Sequence, residues 1–115
     1  MSWQAREDQV KLERLAAHFK VLSQPRRIAI LLALRDGNVK DPNTTRIASA
    51  VGQPFKDITH DMAQLGYIGA AVREPSPTRN FGGVWSITPL GLVLLDVADF
   101  LEARLETVTS ANTDA

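Results

Sequence analysis

The chain has 115 residues, of which 44% are hydrophobic and 23% charged, and its formal net charge at pH 7 is zero. These values are typical of one ordinary soluble domain and argue against a disordered acidic tail, a collagen-like repeat or a membrane protein. The absence of cysteine excludes disulfides, thiol nucleophiles and thiolate metal sites. Charges from Arg6 onward and a longest apolar run of only residues 28–34 predict no secretory signal, no contact with a membrane and a cytoplasmic location.

The charges are unevenly distributed along the chain. Residues 20–82 contain nine basic and five acidic groups, which leaves +4, whereas residues 83–115 contain one basic and five acidic groups, which leaves −4. The local potential influences the choice of partner more than the total charge does. The middle of the chain is therefore the part expected to face a polyanion.

The first half of the chain predicts two helices separated by a proline. Apolar residues recur at helical spacing over residues 6–22, Pro25 is a favoured first residue for a second helix, and Gly37 is a favoured stop. The second helix is apolar almost all round, so we expect it at the buried centre of the domain.

Two shorter helices are predicted next, separated by Gly52 and Gln53. Thr44 or Thr45 can cap the third helix, and Pro54 can start the fourth. Gly66 is expected to end the fourth helix. Its apolar residues share one face and are expected to pack inward; they are Phe55, Ile58, Met62 and Leu65.

After Gly66 the pattern changes. Residues 67–73 and 84–87 predict two short strands around a long loop, and Thr88-Pro89 is a strong start for a last helix. The predicted fold is mainly α with a small β-hairpin, a winged helix-turn-helix of order α-α-α-α-β-β-α. It forms a single domain over residues 1–110, and residues 111–115 are expected to be a frayed tail.

Three segments resemble ArsR-type winged-helix regulators and together cover about residues 15–105. They are HFKVLSQPRRIAILLALRDG, TRIASAVGQPFKDITHDMAQLGYI and WSITPLGLVLL, and the last is also similar to the wing-to-helix junction of MarR and HxlR-type regulators. The resemblance implies a homodimer, built on the first and last helices, that represses transcription by blocking a promoter. It implies no particular effector, because the cysteine clusters and paired histidines of many ArsR sensors are absent. We expect no metal and no cofactor.

The fourth helix is the predicted DNA reader. The residues that its inward face leaves outward are Lys56, Asp57, His60, Asp61 and Gln64, with Gln53 at its start. Glutamine can read adenine, and lysine or protonated histidine can contact guanine or phosphate, which favours Gln53, Lys56, His60 and Gln64 as DNA contacts. The two aspartates either repel phosphate or accept a hydrogen bond from cytosine, and a merely solvated face is the alternative.

Further DNA contacts are predicted on both sides of the reader. At the start of the third helix, where backbone N–H groups favour phosphate, they are Thr44, Thr45 and Arg46, with simple capping as the alternative. On the wing, where arginine suits the minor groove, they are Arg73, Arg79 and Asn80, with a solvated loop as the alternative. Arg27 matches the arginine of the resembling family and either contacts phosphate or forms a salt bridge to the last helix.

The last helix is apolar all round near its start, more than one core can cover, which predicts packing against a second copy. The predicted interface residues are Leu12, Leu15, Phe19, Leu92, Leu95 and Asp99.

Together these features predict a homodimeric regulator of double-stranded DNA and not an enzyme, because no Gly-rich phosphate loop, nucleophile elbow or zinc-protease motif is present. The alternative is a winged helix that binds other proteins and has no operator. Zero net charge and the two aspartates of the reader favour that alternative. Salt dependence distinguishes the two, because phosphate contacts release counterions.

Overall fold

The computed structural model describes residues 8–75 and 83–113. Its elements are α1 (Gln9–Leu22), α2 (Pro25–Asp36), α3 (Thr44–Val51), α4 (Phe55–Tyr67), β1 (Ala71–Pro75), β2 (Gly83–Ile87) and α5 (Pro89–Thr113). This confirms the predicted order and the predicted class, a mainly helical winged helix-turn-helix with one antiparallel hairpin.

Several helix ends lie where the local sequence predicts them. Pro25 is the first residue of α2, and Gly37 and Gly52 follow α2 and α3 with φ of 69° and 68°. Glycine adopts this left-handed conformation at little cost because it has no Cβ. Thr88 caps α5, since its hydroxyl oxygen accepts a hydrogen bond from the backbone N–H of Gly91 at 3.1 Å.

The start of α3 differs from the prediction. Its cap is Asn43, whose side-chain oxygen accepts a hydrogen bond from the backbone N–H of Arg46 at 2.8 Å. Thr44 and Thr45 are therefore the first two residues of the helix, and neither is its cap. Asparagine and threonine are both good caps, and the fold of the preceding loop places Asn43 at the required position.

The turn from α4 into the wing also differs from the prediction. α4 continues through Gly66 to Tyr67, and β1 begins only at Ala71. Gly69, with φ of 81°, supplies the positive φ of the turn, and Gly66, which was predicted to end the helix, lies within it. The wing loop, including Arg79 and Asn80, lies outside the described residues, so these two DNA contacts stay predictions.

The core lies between α2, α3, α4 and the first turns of α5. Its largest fully buried apolar side chains are Ile30, Leu31, Ile47, Ile58, Met62, Leu65 and Leu95. The central position predicted for α2 is confirmed by Ile30 and Leu31. Phe55 is a correction: it was expected to pack inward but is 56% exposed. It is the first residue of α4, and the buried face of that helix begins one turn later at Ile58.

The last helix extends far beyond the core. Leu95 is its last fully buried residue, and every side chain from residue 99 to residue 109 is exposed. The Cα radius of gyration is 16.8 Å, against about 13 Å for a compact domain of this size. The helix continues to Thr113 and so includes most of the segment expected to fray.

Candidate nucleic-acid interface

The outward face of α4 presents Lys56 and His60, and neither acid of the helix is fully exposed: Asp57 is half-buried and Asp61 is buried. Ile58, Met62 and Leu65 hold one side of the helix in the core, which leaves Lys56 and His60 exposed on the other side, as their spacing predicts. Gln53, in the turn before the helix, is also exposed. These three side chains lie near the amino-terminal end of α4, the end that commonly contacts base edges in helix-turn-helix proteins.

Asp61 does not belong to this face, and its predicted outward position is wrong. The residue is fully buried, and its carboxylate accepts hydrogen bonds from Arg26 Nε at 2.8 Å and Arg27 Nε at 3.0 Å. Asp61 lies three residues after Ile58 and four before Leu65, which places it on the packed side of the helix. We call these three residues the Arg26–Asp61–Arg27 cluster.

Arg27 accordingly has neither of its two predicted roles. It is buried, its Nη1 donates to the backbone carbonyl of Val21 at 3.0 Å, and its acidic partner is on α4 and not on the last helix. Arg26 is only partly buried. The cluster thus joins α1, α2 and α4 and uses the charge of Arg27 inside the fold.

The charge state of the cluster follows from its geometry. Burial raises the pKa of Asp61, but the hydrogen bonds and charges of Arg26 and Arg27 lower it by more, so the carboxyl pKa lies below its ordinary value. The hydrogen bond to Asp61 is the main effect that raises the pKa of Arg26, and the charge of Asp57 raises it further. Asp57 is itself half-buried. Both carboxylates of α4 therefore interact with arginine at the start of α2: Asp61 with Arg26 and Arg27, and Asp57 with Arg26.

The remaining predicted contacts have mixed surroundings. Gln64 is half-buried and lines a cleft between α1 and α4 together with Lys20 and His60. Thr45 is exposed and Thr44 half-buried. Arg46 holds the loop before α3, because its Nη1 donates to the carbonyl of Lys40 at 3.0 Å and lies 3.4 Å from Asp41 Oδ2. This structural contact was not predicted.

The wing is fastened beside the helix-turn-helix. Arg73 of β1 is exposed and pairs in register with Trp85 of β2. The backbone N–H of Trp85 donates to the carbonyl of Pro42 at 2.9 Å. This hydrogen bond joins the hairpin to the loop that leads into α3. Arg73, which pairs with Trp85, therefore lies on a strand that is held beside the start of α3.

A second candidate surface follows α1 and α5. The two helices enclose an apolar groove of about 380 Å³, lined mainly by Leu15, Phe19, Val93 and Val97. Of the predicted interface residues, Leu15, Phe19, Leu92 and Asp99 are exposed and Leu12 is half-buried. Asp99 lies 3.5 Å from Arg35 Nη1 of the same chain.

The prediction that Leu95 lies at the dimer interface is wrong, because this residue belongs to the core of its own chain and is not available to a partner. The exposed apolar residues further along α5, which recur every three or four residues, were not among the predicted interface residues. They are Val97, Phe100, Leu101, Leu105 and Val108. This spacing marks one face of a helix and is the signal that could have revealed them.

Two further features were searched within the part of the chain that the structure describes. No three histidine, aspartate or glutamate residues gather there in a group that could hold a metal ion. No helix there is long and apolar enough to cross a membrane.

Neither a family model nor a curated protein matches this chain, but solved structures do. One is the homodimeric winged helix-turn-helix DNA-binding domain of Mb0332 from Mycobacterium bovis, a possible ArsR-family transcriptional regulator, with 19% identity over 90% of this chain and 91% of that chain and a TM-score of 0.66. M. tuberculosis Rv0081 is 26% identical over 86% of this chain and 91% of its own, with a TM-score of 0.65. A mutant of MepR from S. aureus bound to an oligodeoxyribonucleotide is 12% identical over 90% and 76%, with a TM-score of 0.66.

These likenesses agree with the element order and establish the class of fold. The chain is a winged helix-turn-helix protein, with α3 and α4 as the helix-turn-helix and β1 and β2 as the wing.

Proposed function

We propose that this protein is a DNA-binding transcription regulator of the ArsR type that acts as a homodimer and represses transcription by occupying promoter DNA. The observation that carries the proposal is the outward face of α4, which presents Lys56 and His60 while Asp61 is buried against two arginines. A helix with such a face fits the major groove, where lysine and histidine can bond to bases or phosphates.

The proposed dimer is built on α1 and α5. A helix whose exposed half carries a row of large apolar side chains is stabilised by covering that row, and a second copy is the simplest partner. In a two-fold dimer the two copies of α4 would enter successive major grooves about 34 Å apart. The wings, with Arg73 on β1, would then lie over the flanking minor grooves.

The similar structures support this assignment in two respects. The M. bovis protein is described as a homodimeric DNA-binding domain, and the MepR mutant is bound to an oligodeoxyribonucleotide. Transfer to this chain rests on the shared fold together with the charge of its α4. We propose no enzymatic activity, no metal and no particular effector. Regulation of transcription would place the protein in the cytoplasm.

The decisive test is fluorescence anisotropy with labelled DNA from upstream of the gene for this protein and a scrambled duplex of equal length. We expect tighter binding to the upstream DNA and a steep loss of affinity for both duplexes as salt rises. A reporter gene behind the same DNA should be repressed when the protein is present.

The competing function is binding to other proteins, and the zero net charge of the chain still favours it. The aspartates no longer support it, since Asp61 is buried and Asp57 is half-buried beside the arginines. Failure to bind any duplex at low salt would overturn the DNA proposal and leave protein binding as the better assignment.

A further inference from the structure

An aromatic residue stands exposed at the start of the reader helix. Phe55 is the first residue of α4 and is 56% exposed, although its spacing from Ile58 and Met62 predicts an inward position. A single exposed apolar residue is common on protein surfaces and by itself indicates nothing. The position of Phe55 and the identity of its neighbours make this one informative.

Phe55 begins an apolar row along the exposed surface of α4. Thr59 and Ala63 follow it at intervals of four residues, and both are exposed. The hydroxyl of Thr59 donates a hydrogen bond to the backbone carbonyl of Phe55 at 2.9 Å. Because its proton is used inside the helix, the part of Thr59 best able to meet a partner is its methyl group. The row therefore presents a ring followed by two methyl groups.

The apolar row lies directly beside Lys56 and His60. Lys56 and His60 each follow a member of the apolar row by one residue, and all four side chains are exposed within the first two turns of α4. A partner that meets this end of the helix must offer polar groups for Lys56 and His60 and an apolar group for the ring. The surface is thus continuous with the proposed DNA contact.

We propose that Phe55, assisted by the methyl group of Thr59, reads the C5-methyl group of thymine in the major groove of each half-site. The inference rests on the proposed function and adds a base preference to it. The thymine methyl is the distinct apolar group on the major-groove edge of the base pairs, and phenylalanine is among the side chains that contact it. Residues at the start of a reader helix are those that reach base edges.

The test replaces thymine by deoxyuridine, which removes the methyl group and keeps the pairing. The wild-type protein first selects its strongest duplex from a random-sequence pool, and each thymine of that duplex is then replaced singly. Loss of one buried methyl group should weaken wild-type binding about fourfold at one thymine in each half-site, while replacements at the other positions have little effect.

Three variants locate the contact. Phe55→Ala should lose most of the preference for thymine over deoxyuridine, because only the methyl group of Thr59 remains to contact the thymine methyl. Phe55→Leu should keep part of the preference. Tyr67→Ala, which removes an 87% exposed aromatic from the other end of α4, should keep all of it. Matching thermal unfolding curves for the wild type and the variants would establish that all of them fold.

The outcomes separate this inference from the function on which it rests. If the wild type enriches no duplex from the pool, both are overturned. If it binds a duplex tightly but tolerates deoxyuridine at every position, only the reading of thymine is overturned. The same holds if Phe55→Ala keeps the full preference for thymine. A preference that is lost in Phe55→Ala and kept in Tyr67→Ala supports the inference.

Discussion

At the scale of single residues, the burial of Asp61 determines which charges α4 exposes. An ionised carboxylate is expensive to bury, and here its cost is offset by hydrogen bonds from two guanidinium groups at 2.8 and 3.0 Å. The same contacts remove a negative charge from the surface that would meet phosphate. Asp61 therefore joins α4 to α2 and leaves Lys56 as the fully exposed charge of α4.

Replacing Asp61 by asparagine should be strongly destabilising. The change leaves two arginines, one of them buried, without their charged partner, and breaking a buried pair of this kind costs about 3 to 5 kcal/mol. Urea unfolding followed by circular dichroism measures the loss. Asp57→Asn, on the same helix but only half-buried, is the matched control and should lower the free energy of unfolding by under about 1 kcal/mol. Similar midpoints for the two variants would contradict the role given to the cluster.

The lowered pKa of Asp61 also predicts how stability depends on pH. Folding favours the ionised carboxylate, so its contribution is fully present above the ordinary aspartate pKa of about 3.9 and is lost as the pH falls through the lower folded value. Melting temperatures between pH 7 and pH 2.5 should therefore fall steeply below about pH 4. The acid-dependent fall should be shallower in Asp61→Asn than in Asp57→Asn, and equal slopes would count against this assignment.

At the scale of elements, α5 has two different halves. Its first turns contribute Leu95 to the core, whereas its second half carries apolar side chains on one side and acidic ones on the other. Glu102 and Glu106 lie on that acidic side, and Arg104 covers the ring of Phe100 at 5.0 Å from its centroid. A half-helix with this pattern is stabilised mainly by packing its apolar side against a partner.

Leu101→Glu should convert the proposed dimer into a monomer. The charge would be buried in an apolar interface without a partner, which disfavours association. Size-exclusion chromatography with light scattering should give about twice 12.6 kDa for the wild type and about 12.6 kDa for the variant. DNA affinity should fall about a hundredfold as the two-site attachment is lost. Glu106→Gln, on the acidic side, should remain dimeric; a dimeric Leu101→Glu would refute the proposed interface.

At the scale of the whole molecule, zero net charge hides a separation of charge. The middle of the chain carries an excess of +4 and the last 33 residues an excess of −4, and the structure places the acidic segment largely on the projecting α5. Residues 20–82, the segment that includes the helix-turn-helix and the wing, are therefore more positive than the total charge suggests. The same separation places four acidic residues on α5, outside the helix-turn-helix; they are Asp96, Asp99, Glu102 and Glu106.

This distribution predicts that DNA affinity depends on salt, and that Lys56 contributes to this dependence whereas Lys11 does not. Each phosphate contact adds about 0.9 to the slope of log affinity against log salt, so Lys56→Ala should reduce the slope by about 2 in a dimer. Lys11→Ala removes the same charge from α1 and should leave the slope unchanged. Anisotropy titrations at four salt concentrations measure both, and equal slopes for the two variants would show that Lys56 does not contact phosphate.

The sequence by itself determined the order and type of the elements and the exposed positions of Lys56 and Arg73. Caps, glycine stops and the three-to-four-residue periodicity act over a few neighbouring residues, so Pro25, Gly37 and Lys56 lie as predicted. Only the tertiary structure decided which residues are buried or exposed against the prediction from helical spacing. Asp61 is buried because arginines 34 and 35 positions away meet it. Phe55 is exposed because α4 begins beyond the core, and Leu95 is buried because the side of α5 on which it lies packs against the core. Such contacts depend on how helices pack against one another, which the spacing of residues within one helix does not determine.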